Sequence, residues 1–395
     1  APMYSHVQHI LDNVSLITRE NLSGVRVIRA FNQQDNEQKR FESTTTKQKE
    51  EQIIAGNLSA VLNPATTIIV NFGIIAILYI SGFKINAGNM TQGEVISLIN
   101  YMNQILLSMY VFANVIVILN KASASYKRCV DVLSQKQDIA QGINEAPSDY
   151  QNLITYDHVS FSYYSGNALT DVSFNILPGQ TIGVIGGTGS GKTTLINLIP
   201  RFYDVTEGEI RIKDLPIKSY KFEYLRNMIG IVPQQATLFG GTIRENMQWG
   251  HPHATDEEIY EALELSQSKE FIDKMTEGLD TYIEQGGKNV SGGQRQRLTI
   301  ARALVKKPEI LILDDSASAL DFATDAKLRK ALSTLNMTVI IVSQRVSALM
   351  HADSIVVLSH GEVVGQGTHD MLMNTCDVYQ EIVMSQMEGG QSNEE

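Results

Sequence analysis

Two long stretches of this chain contain no charged residue, and they restrict its possible folds more than any other feature. They run from Gln52 to Phe83 and from Val95 to Asn120. A helix needs about 20 mainly apolar residues to cross a bilayer, whereas a helix of a soluble domain usually has about 8 to 20 residues and a polar face. We therefore predict two membrane-spanning helices, at about 53–83 and 95–120, over the alternative of two buried helices in a large soluble domain.

The segments around these stretches predict helical extensions into the cytoplasm. Residues 11–52 are rich in charge and helical in pattern, and the connection at 84–94 is short enough for a helical hairpin. We expect a partial transmembrane domain over 1–134 and a polar linker at 135–150. Because the chain begins at Ala1 with a polar, helix-like turn, we also expect it to start inside a longer gene product.

The charge and cysteine content exclude several classes of protein. A formal net charge of −11 argues against nucleic acid as a partner, because a nucleic-acid-binding domain usually presents a basic face. The two cysteines, Cys129 and Cys376, lie far apart without a CxxC pair or a histidine cluster. We therefore predict neither a disulfide framework nor a zinc site, as is typical of a protein facing the cytosol.

From about Gln151 the pattern changes to short apolar runs that alternate with helical segments. Runs such as TIGVIGG, EILILDD and TVIIVSQ are typical of buried strands. Their alternation with helices predicts an α/β domain with a largely parallel sheet over 151–387. We expect the last residues, 388–395, to form a disordered tail.

The segment GGTGSGKT, residues 186–193, fits the phosphate-binding pattern G-x-x-x-x-G-K-[ST] and lies between a predicted strand and a predicted helix. Glycines allow the backbone N–H groups to surround phosphate oxygens, and the helix N-terminus favours their negative charge. Lys192 is expected to reach the β- and γ-phosphates, and the Thr193 hydroxyl to bind Mg²⁺. The predicted phosphate-binding residues are Gly186, Gly187, Thr188, Gly189, Ser190, Gly191, Lys192, Thr193 and Thr194.

The apolar run ILILDD, residues 310–315, predicts a buried strand that delivers a carboxylate to this site. Asp314 ends the strand, and beside a phosphate-binding loop it is expected to hold Mg²⁺. The alternative is an ordinary aspartate in a strand-end turn.

VSGGQ, residues 290–294, opens a second predicted helix with a serine and two glycines. This composition indicates a second anion-binding helix N-terminus in the same domain. One nucleotide does not need two anion-binding helix N-termini from the same chain. We infer that the helix N-terminus at VSGGQ contacts a nucleotide held by another copy or by a partner, so that the nucleotide lies between two domains.

Together these motifs resemble those of the ATP-binding cassette (ABC) exporters of type IV, and the resemblance covers nearly the whole chain. It implies two transmembrane helices followed by an α/β P-loop NTPase domain that binds ATP and Mg²⁺. VSGGQ is similar to the LSGGQ signature, with Val290 in place of leucine, and VPQQATLF resembles the Q-loop, in which Gln234 would contact Mg²⁺ and water. The resemblance adds further residues to the ATP site. Tyr163 would stack on adenine, and Asp321 of SALD would lie at the dimer interface. The signature would contribute Ser291, Gly292, Gly293 and Gln294.

The resemblance also implies which part of an exporter's transmembrane domain the helical residues 1–134 correspond to. RENLSGVRVIRAF is similar to the intracellular segment between the fourth and fifth spans of these exporters. Residues 2–10 would then form the second coupling helix, and the two predicted spans would be the fifth and sixth of six. Spans one to four would lie upstream of Ala1, and the nucleotide-binding domain would be cytoplasmic at the cell membrane.

Two positions depart from the family pattern where catalytic roles are expected. Asp315 stands where the family has its catalytic glutamate, and Gln344 where it has its switch histidine. An aspartate is one methylene shorter, about 1.5 Å, and a misplacement of about 1 Å can lower a rate about a hundredfold. Glutamine can donate a hydrogen bond to the γ-phosphate but cannot carry the charge of histidine. We predict a slowly hydrolysing ATP site, against the alternative that a backbone shift lets Asp315 work.

Because cassette sites are composite, the resemblance predicts a heterodimer. The intact signature would serve the site of a second half-transporter that carries the glutamate and the histidine. We expect a multidrug-type exporter of small lipophilic compounds, embedded in membrane lipid. The alternatives are a homodimeric exporter of lipid or peptide with slow hydrolysis and a regulatory ATP-binding half. A soluble cassette ATPase of the DNA-repair or translation type is disfavoured by the uncharged stretches.

Overall fold

The computed structural model describes residues 2–135, 139–145, 147, 149–163, 166–316 and 319–391. The chain forms two compact units, Ala1–Gln135 and Lys136–Glu395, which are described separately. The first is helical and the second is α/β, which confirms the predicted fold class.

Helices make up the described part of the first unit. They are α1 (Pro2–Ser23), α2 (Val25–Ala30), α3 (Gln34–Asn86) and α4 (Gln92–Leu133). The segments Pro64–Asn86 of α3 and Gln92–Phe112 of α4 are long and apolar enough to cross a membrane, and only 6% of the apolar window of each is buried. The predicted membrane helices are therefore present as parts of longer helices, and their side chains face outward, as contact with lipid or further helices requires.

A short turn joins α3 to α4. Gly88 has φ +73°, which a glycine adopts without strain. Thr91 then caps α4, because its backbone N–H donates to the Glu94 carboxylate at 2.8 Å. These local signals produce the hairpin expected from the short connection.

The expected coupling helix at 2–10 forms part of a longer helix, and its coupling role stays a prediction. These residues belong to the continuous helix α1, which extends to Ser23 because no glycine or internal proline interrupts it before Gly24. A Cβ at Gly24 would lie 3.0 Å from the Glu20 carbonyl oxygen. A short helix, α2, follows α1, and its Val27 is 61% exposed.

Two sheets and a two-stranded ribbon form the frame of the second unit. The strands are β1 (Ile154–Tyr163), β2 (Gly166–Ile176), β3 (Thr181–Gly186), β4 (Glu207–Ile212), β5 (Leu215–Pro216), β6 (Ile229–Val232), β7 (Gly241–Thr242), β8 (Tyr282–Ile283), β9 (Ile310–Asp314), β10 (Thr338–Val342), β11 (Ser354–Ser359) and β12 (Glu362–Gly367). The larger sheet has the order β12-β11-β3-β10-β9-β6, and its pairs are parallel except for β11 with β12. The smaller sheet, β2-β1-β4-β5, is antiparallel. The predicted largely parallel sheet is confirmed.

Helices connect these strands. They are α5 (Lys192–Leu198), α6 (Phe222–Asn227), α7 (Ile243–Gln248), α8 (Asp256–Leu265), α9 (Lys269–Ile272), α10 (Gly292–Val305), α11 (Phe322–Leu332), α12 (His369–Thr375) and α13 (Asp377–Gln391). Short 3₁₀ helices lie at Ile217–Ser219, Gly278–Asp280 and Val346–Ala348.

Apolar side chains cover both faces of the larger sheet. Ile310 and Ile312 of β9 belong to one buried cluster, whereas Leu311 and Leu313 belong to the other. Successive side chains of a strand point to opposite faces, so a strand buried on both sides is apolar throughout. The sheet is thus fixed from both sides, and the carboxyl ends of β3, β9 and β10 meet at one edge.

The structure adds detail to the expected linker and to the expected tail. Within the expected linker, the Gly142 N–H donates to the Tyr220 carbonyl oxygen at 3.1 Å, so this segment is held against the second unit. The expected disordered tail at 388–395 is in part helical, because α13 extends to Gln391. The remaining residues of that tail, 392–395, lie outside the described residues.

We predict that Ile312→Ala lowers the free energy of unfolding of the second unit by about 2–5 kcal/mol, because Ile312 is fully buried and its truncation leaves a cavity. Thermal unfolding followed by the fluorescence of Trp249, the single tryptophan, measures the change. Val364→Ala on β12 is the control, since Val364 is 42% exposed and a change below about 0.5 kcal/mol is expected there. Equal effects of the two substitutions would contradict the packing described.

Candidate nucleotide-binding site

The predicted phosphate-binding loop connects β3 to α5, and close backbone contacts explain two of its glycines. A Cβ at Gly186 would lie 2.2 Å from the Leu358 carbonyl oxygen, and a Cβ at Gly191 would lie 2.6 Å from that of Ala168. Gly191 also has φ +98°, in the left-handed region. The loop is therefore held tightly against neighbouring backbone, with α5 beginning at Lys192.

Lys192 crosses the loop. Its Nζ donates to the carbonyl oxygens of Gly186 at 2.8 Å and Gly187 at 2.7 Å. Burial lowers the pKa of the Lys192 ammonium, and the charges of Asp314 and Asp315 oppose that shift. A cation held here can move to phosphate oxygens without leaving the loop.

A cavity of about 280 Å³ lies beside the loop and gathers most of the predicted site. Its predicted residues are Thr188, Gly189, Ser190, Gly191, Lys192, Thr193, Thr194, Gln234, Asp314, Asp315 and Gln344. They come from four separate parts of the sequence, brought together because β3, β10, β9 and β6 pair side by side.

Asp314 and Thr193 lie in direct contact. The Thr193 hydroxyl donates to the Asp314 carboxylate at 3.4 Å. Burial raises the pKa of Asp314, while the Thr193 hydroxyl opposes the shift and Asp315 adds to it. A hydroxyl and one carboxylate fit Mg²⁺, which proteins usually bind through one or two carboxylates together with substrate phosphates and water. The described residues contain no cluster of three or more His, Cys, Asp or Glu side chains that could hold a metal ion.

Asp315 is held by its backbone and by Gln234. It has φ +45°, unusual for a residue other than glycine, and its N–H donates to the Val342 carbonyl oxygen at 2.9 Å. Burial raises the pKa of the Asp315 carboxyl, while a hydrogen bond with the Gln234 side chain and the charges of Lys192 and Arg345 oppose the rise. The carboxylate is thus directed toward the Q-loop glutamine.

Tyr163 lies at the end of β1 with its ring 41% exposed. Its hydroxyl is 3.4 Å from the Thr194 hydroxyl, and its ring meets Tyr203 edge to face at 5.4 Å. The tyrosine is therefore positioned next to the phosphate-binding loop, where it could stack on a nucleotide base.

The second predicted anion site, VSGGQ, begins α10 and lies outside this cavity. Ser291 and Gln294 cap the helix reciprocally: the Gln294 N–H donates to the Ser291 hydroxyl at 3.2 Å, and the Ser291 N–H to the Gln294 side chain at 2.9 Å. Gly292 and Gly293 follow the cap directly. The predicted signature is therefore a well-formed helix start, separate from the phosphate-binding loop of its own chain.

Asp321 caps α11 instead of contacting the cavity. Its carboxylate accepts a hydrogen bond from the Thr324 N–H at 3.0 Å, and this contact lowers the pKa of Asp321. Ser318, the first residue of SALD, lies outside the described residues.

The sequence gives no motif for Arg345 and Gln386, which the structure places next to Gln344. The Gln344 carbonyl oxygen accepts a hydrogen bond from the Gln386 side chain at 2.6 Å. Only the packing of α13 brings these distant positions together, so spacing in the sequence could not have indicated it. The identity of Gln386 alone carries no such signal.

Comparison with known proteins decides the family. The chain is 40% identical over 394 residues to the "Uncharacterized ABC transporter ATP-binding protein YfiB" of Bacillus subtilis, covering 99% of this chain and 69% of that protein. The chain belongs to the ABC transporter family. Its residues 6–109 match the family "ABC transporter transmembrane region", and residues 169–318 match the family "ABC transporter".

Further comparisons show the exporter fold. The solved "Structure of a bacterial Atm1-family ABC exporter with ATP bound" superposes with a TM-score of 0.83 at 26% identity, covering 98% of this chain and 70% of that one. The "Probable multidrug resistance ABC transporter ATP-binding/permease protein YheI" of B. subtilis is 35% identical over 366 residues, which are 92% of this chain and 63% of that protein. The chain is thus part of an ATP-driven, multi-pass ABC exporter with a cytoplasmic ATP-binding domain.

We predict that Lys192→Met weakens ATP binding by about 10- to 100-fold, because a hydrogen bond to a charged group contributes about 1.5–3 kcal/mol. Equilibrium binding of a fluorescent ATP analogue to the purified chain measures this loss. Lys218→Met is the control, since Lys218 is an exposed lysine outside the cavity. Unchanged affinity in the Lys192 variant would exclude this loop as the phosphate site.

Proposed function

We propose that this ABC exporter chain binds ATP at a site that hydrolyses it slowly, and that it works as one half of a heterodimer. Its signature would complete the partner's site, and ATP binding would close the two nucleotide-binding domains and switch the membrane helices from inward- to outward-facing. The observation that carries the proposal is the presence of both Asp315 and Gln344 in the cavity beside Lys192.

The position of Asp315 supports slow hydrolysis. Its carboxylate follows directly after the buried strand end at Asp314, and its hydrogen bond to Gln234 draws it toward that side chain. A glutamate at the same Cα would extend about 1.5 Å further. The raised pKa of Asp315 makes its carboxylate a stronger base, but reach decides whether a base can contact the attacking water.

Gln344 weakens the site for a second, independent reason. Its side chain can donate a hydrogen bond to a γ-phosphate but cannot bring the positive charge of a protonated histidine. A neutral donor stabilises developing negative charge less than a charged one. Both departures act on the same phosphate, so they favour retention of ATP over turnover.

The intact signature at the start of α10 supports a heterodimer. Ser291 and Gln294 keep their reciprocal cap, and Gly292 between them is exposed and has no side chain that would cover the helix N-terminus, which favours an anion. A chain that keeps the signature but lacks the glutamate and the histidine can complete the site of a partner that carries both. Two copies of this chain would instead form two weakened sites.

The apolar helix α4 supports a small lipophilic substrate. Tyr101, Gln104, Ile105, Ser108 and Phe112 line an open concavity of about 670 Å³, together with Met109 and Ile116. Aromatic and aliphatic walls with few polar groups are typical of sites for lipophilic compounds. The multidrug resistance name of YheI agrees with this substrate class.

We predict that Asp315→Glu combined with Gln344→His raises ATP hydrolysis at this site by up to about a hundredfold, because the carboxylate regains its reach. The assay uses the purified transporter in which the partner's catalytic glutamate is replaced by glutamine, so that the remaining rate reports this site. The control, Asp315→Asn, should change that low rate little. A large loss of activity in the Asp315→Asn variant would show that Asp315 already catalyses hydrolysis.

The pairing is tested by purifying the tagged chain from its native membrane in mild detergent. We expect a second half-transporter to copurify in a 1:1 ratio, with Glu and His at the two corresponding positions. Recovery of only two copies of this chain would contradict the heterodimer and favour a homodimeric exporter with slow hydrolysis.

A further inference from the structure

The C-terminal helix α13 contacts the segment that carries Gln344, here called the switch segment (Ser343–Val346). We propose that Gln386 is a positioning residue that fixes the backbone of the switch segment beside the nucleotide cavity. This inference rests on the proposed function only in that the cavity binds ATP. It adds a role for a helix that none of the predicted motifs includes.

One side-chain amide makes both contacts. The Gln386 Nε2 donates to the Gln344 carbonyl oxygen at 2.6 Å, and the Gln386 Oε1 accepts from the Val346 N–H at 2.9 Å. The amide therefore bridges the backbone on both sides of Arg345, as a neighbouring strand would. Two hydrogen bonds from one planar group fix the orientation of both peptide groups together.

The place of Gln386 is set by buried neighbours on its own helix. Tyr379 is fully buried and its hydroxyl lies 2.8 Å from His369 Nδ1, while Val383 is 4% exposed. Tyr379, Val383 and Gln386 follow each other at i, i+4 and i+7, so they share one face of α13. Burial of Tyr379 and Val383 holds the Gln386 amide against Val346, which is itself 7% exposed.

Arg345 ties the same segment to a second element. Its guanidinium lies over the Phe322 ring at 4.2 Å from the ring centre. Phe322 begins α11 immediately after Asp321. The switch segment is thus held through its backbone by α13 and through its central side chain by α11.

Without the Gln386 amide, the Gln344 carbonyl and the Val346 N–H would lose the partners that the structure gives them. The hydrogen bond from the Arg345 N–H to the Ser343 hydroxyl, at 3.0 Å, would remain but holds only the start of the segment. Gln344 would then sample several positions, and its donor would meet the γ-phosphate in a smaller fraction of them. Loss of this fixed position should weaken ATP binding without removing any group that contacts ATP.

The test compares Gln386→Met with Gln380→Met in the full chain. Methionine keeps the length and packing of glutamine but removes both strong hydrogen-bonding groups. Gln380 is a matched control because it lies on the same helix and its Nε2 donates to a different backbone carbonyl, that of Met373, at 2.7 Å. Hydrogen–deuterium exchange at Val346 and equilibrium binding of magnesium TNP-ATP are measured on both variants.

For Gln386→Met we expect about tenfold faster exchange at Val346 and about tenfold weaker binding of TNP-ATP, which corresponds to about 1.4 kcal/mol. Gln380→Met should leave both quantities within about twofold of the parent chain. Unchanged exchange and affinity in Gln386→Met, or the same changes in Gln380→Met, would overturn the proposal. If the parent chain fails to bind TNP-ATP, the ATP-binding function fails, and exchange at Val346 still decides whether Gln386 holds the segment.

Discussion

The parallel pairing of β10 with both β3 and β9 is the constraint on which the nucleotide site depends. Val342 of β10 pairs with Val184 on one side and with Asp314 on the other. This register brings the phosphate-binding loop, the proposed Mg²⁺ ligand Asp314 and the switch segment to one edge of the sheet. A slip of one residue in any strand would exchange its buried faces, so packing on both sides of the sheet fixes the geometry of the site.

On this scaffold, small chemical differences decide what the site does. Asp314 and Thr193 retain the oxygen donors that suit Mg²⁺, and Lys192 retains its charge close to the loop. The two positions that would activate water and stabilise charge carry a shorter acid and a neutral amide. This combination is the basis of the proposal that the site binds ATP and hydrolyses it slowly.

The sequence predicted the phosphate-binding loop, the end of β9 and the parallel sheet because each depends on local pattern: glycine spacing, apolar runs and strand–helix alternation. It did not predict that the helix containing residues 2–10 continues to Ser23 and ends just before Gly24, because the resemblance gave only the position of the expected coupling helix. It also missed the contact between Gln386 and the switch segment. That contact joins residues 42 positions apart through tertiary packing, which periodicity does not report.

The chemical state of the nucleotide held by this chain tests the slow-hydrolysis proposal most directly. The purified transporter is incubated with the magnesium complex of a photoreactive ATP analogue, allowed to turn over, then irradiated and digested. The nucleotide attached to the peptide that contains Tyr163 is identified by mass. We predict that it is mainly the triphosphate while the partner's site releases diphosphate; mainly diphosphate on the Tyr163 peptide would contradict a site that retains ATP.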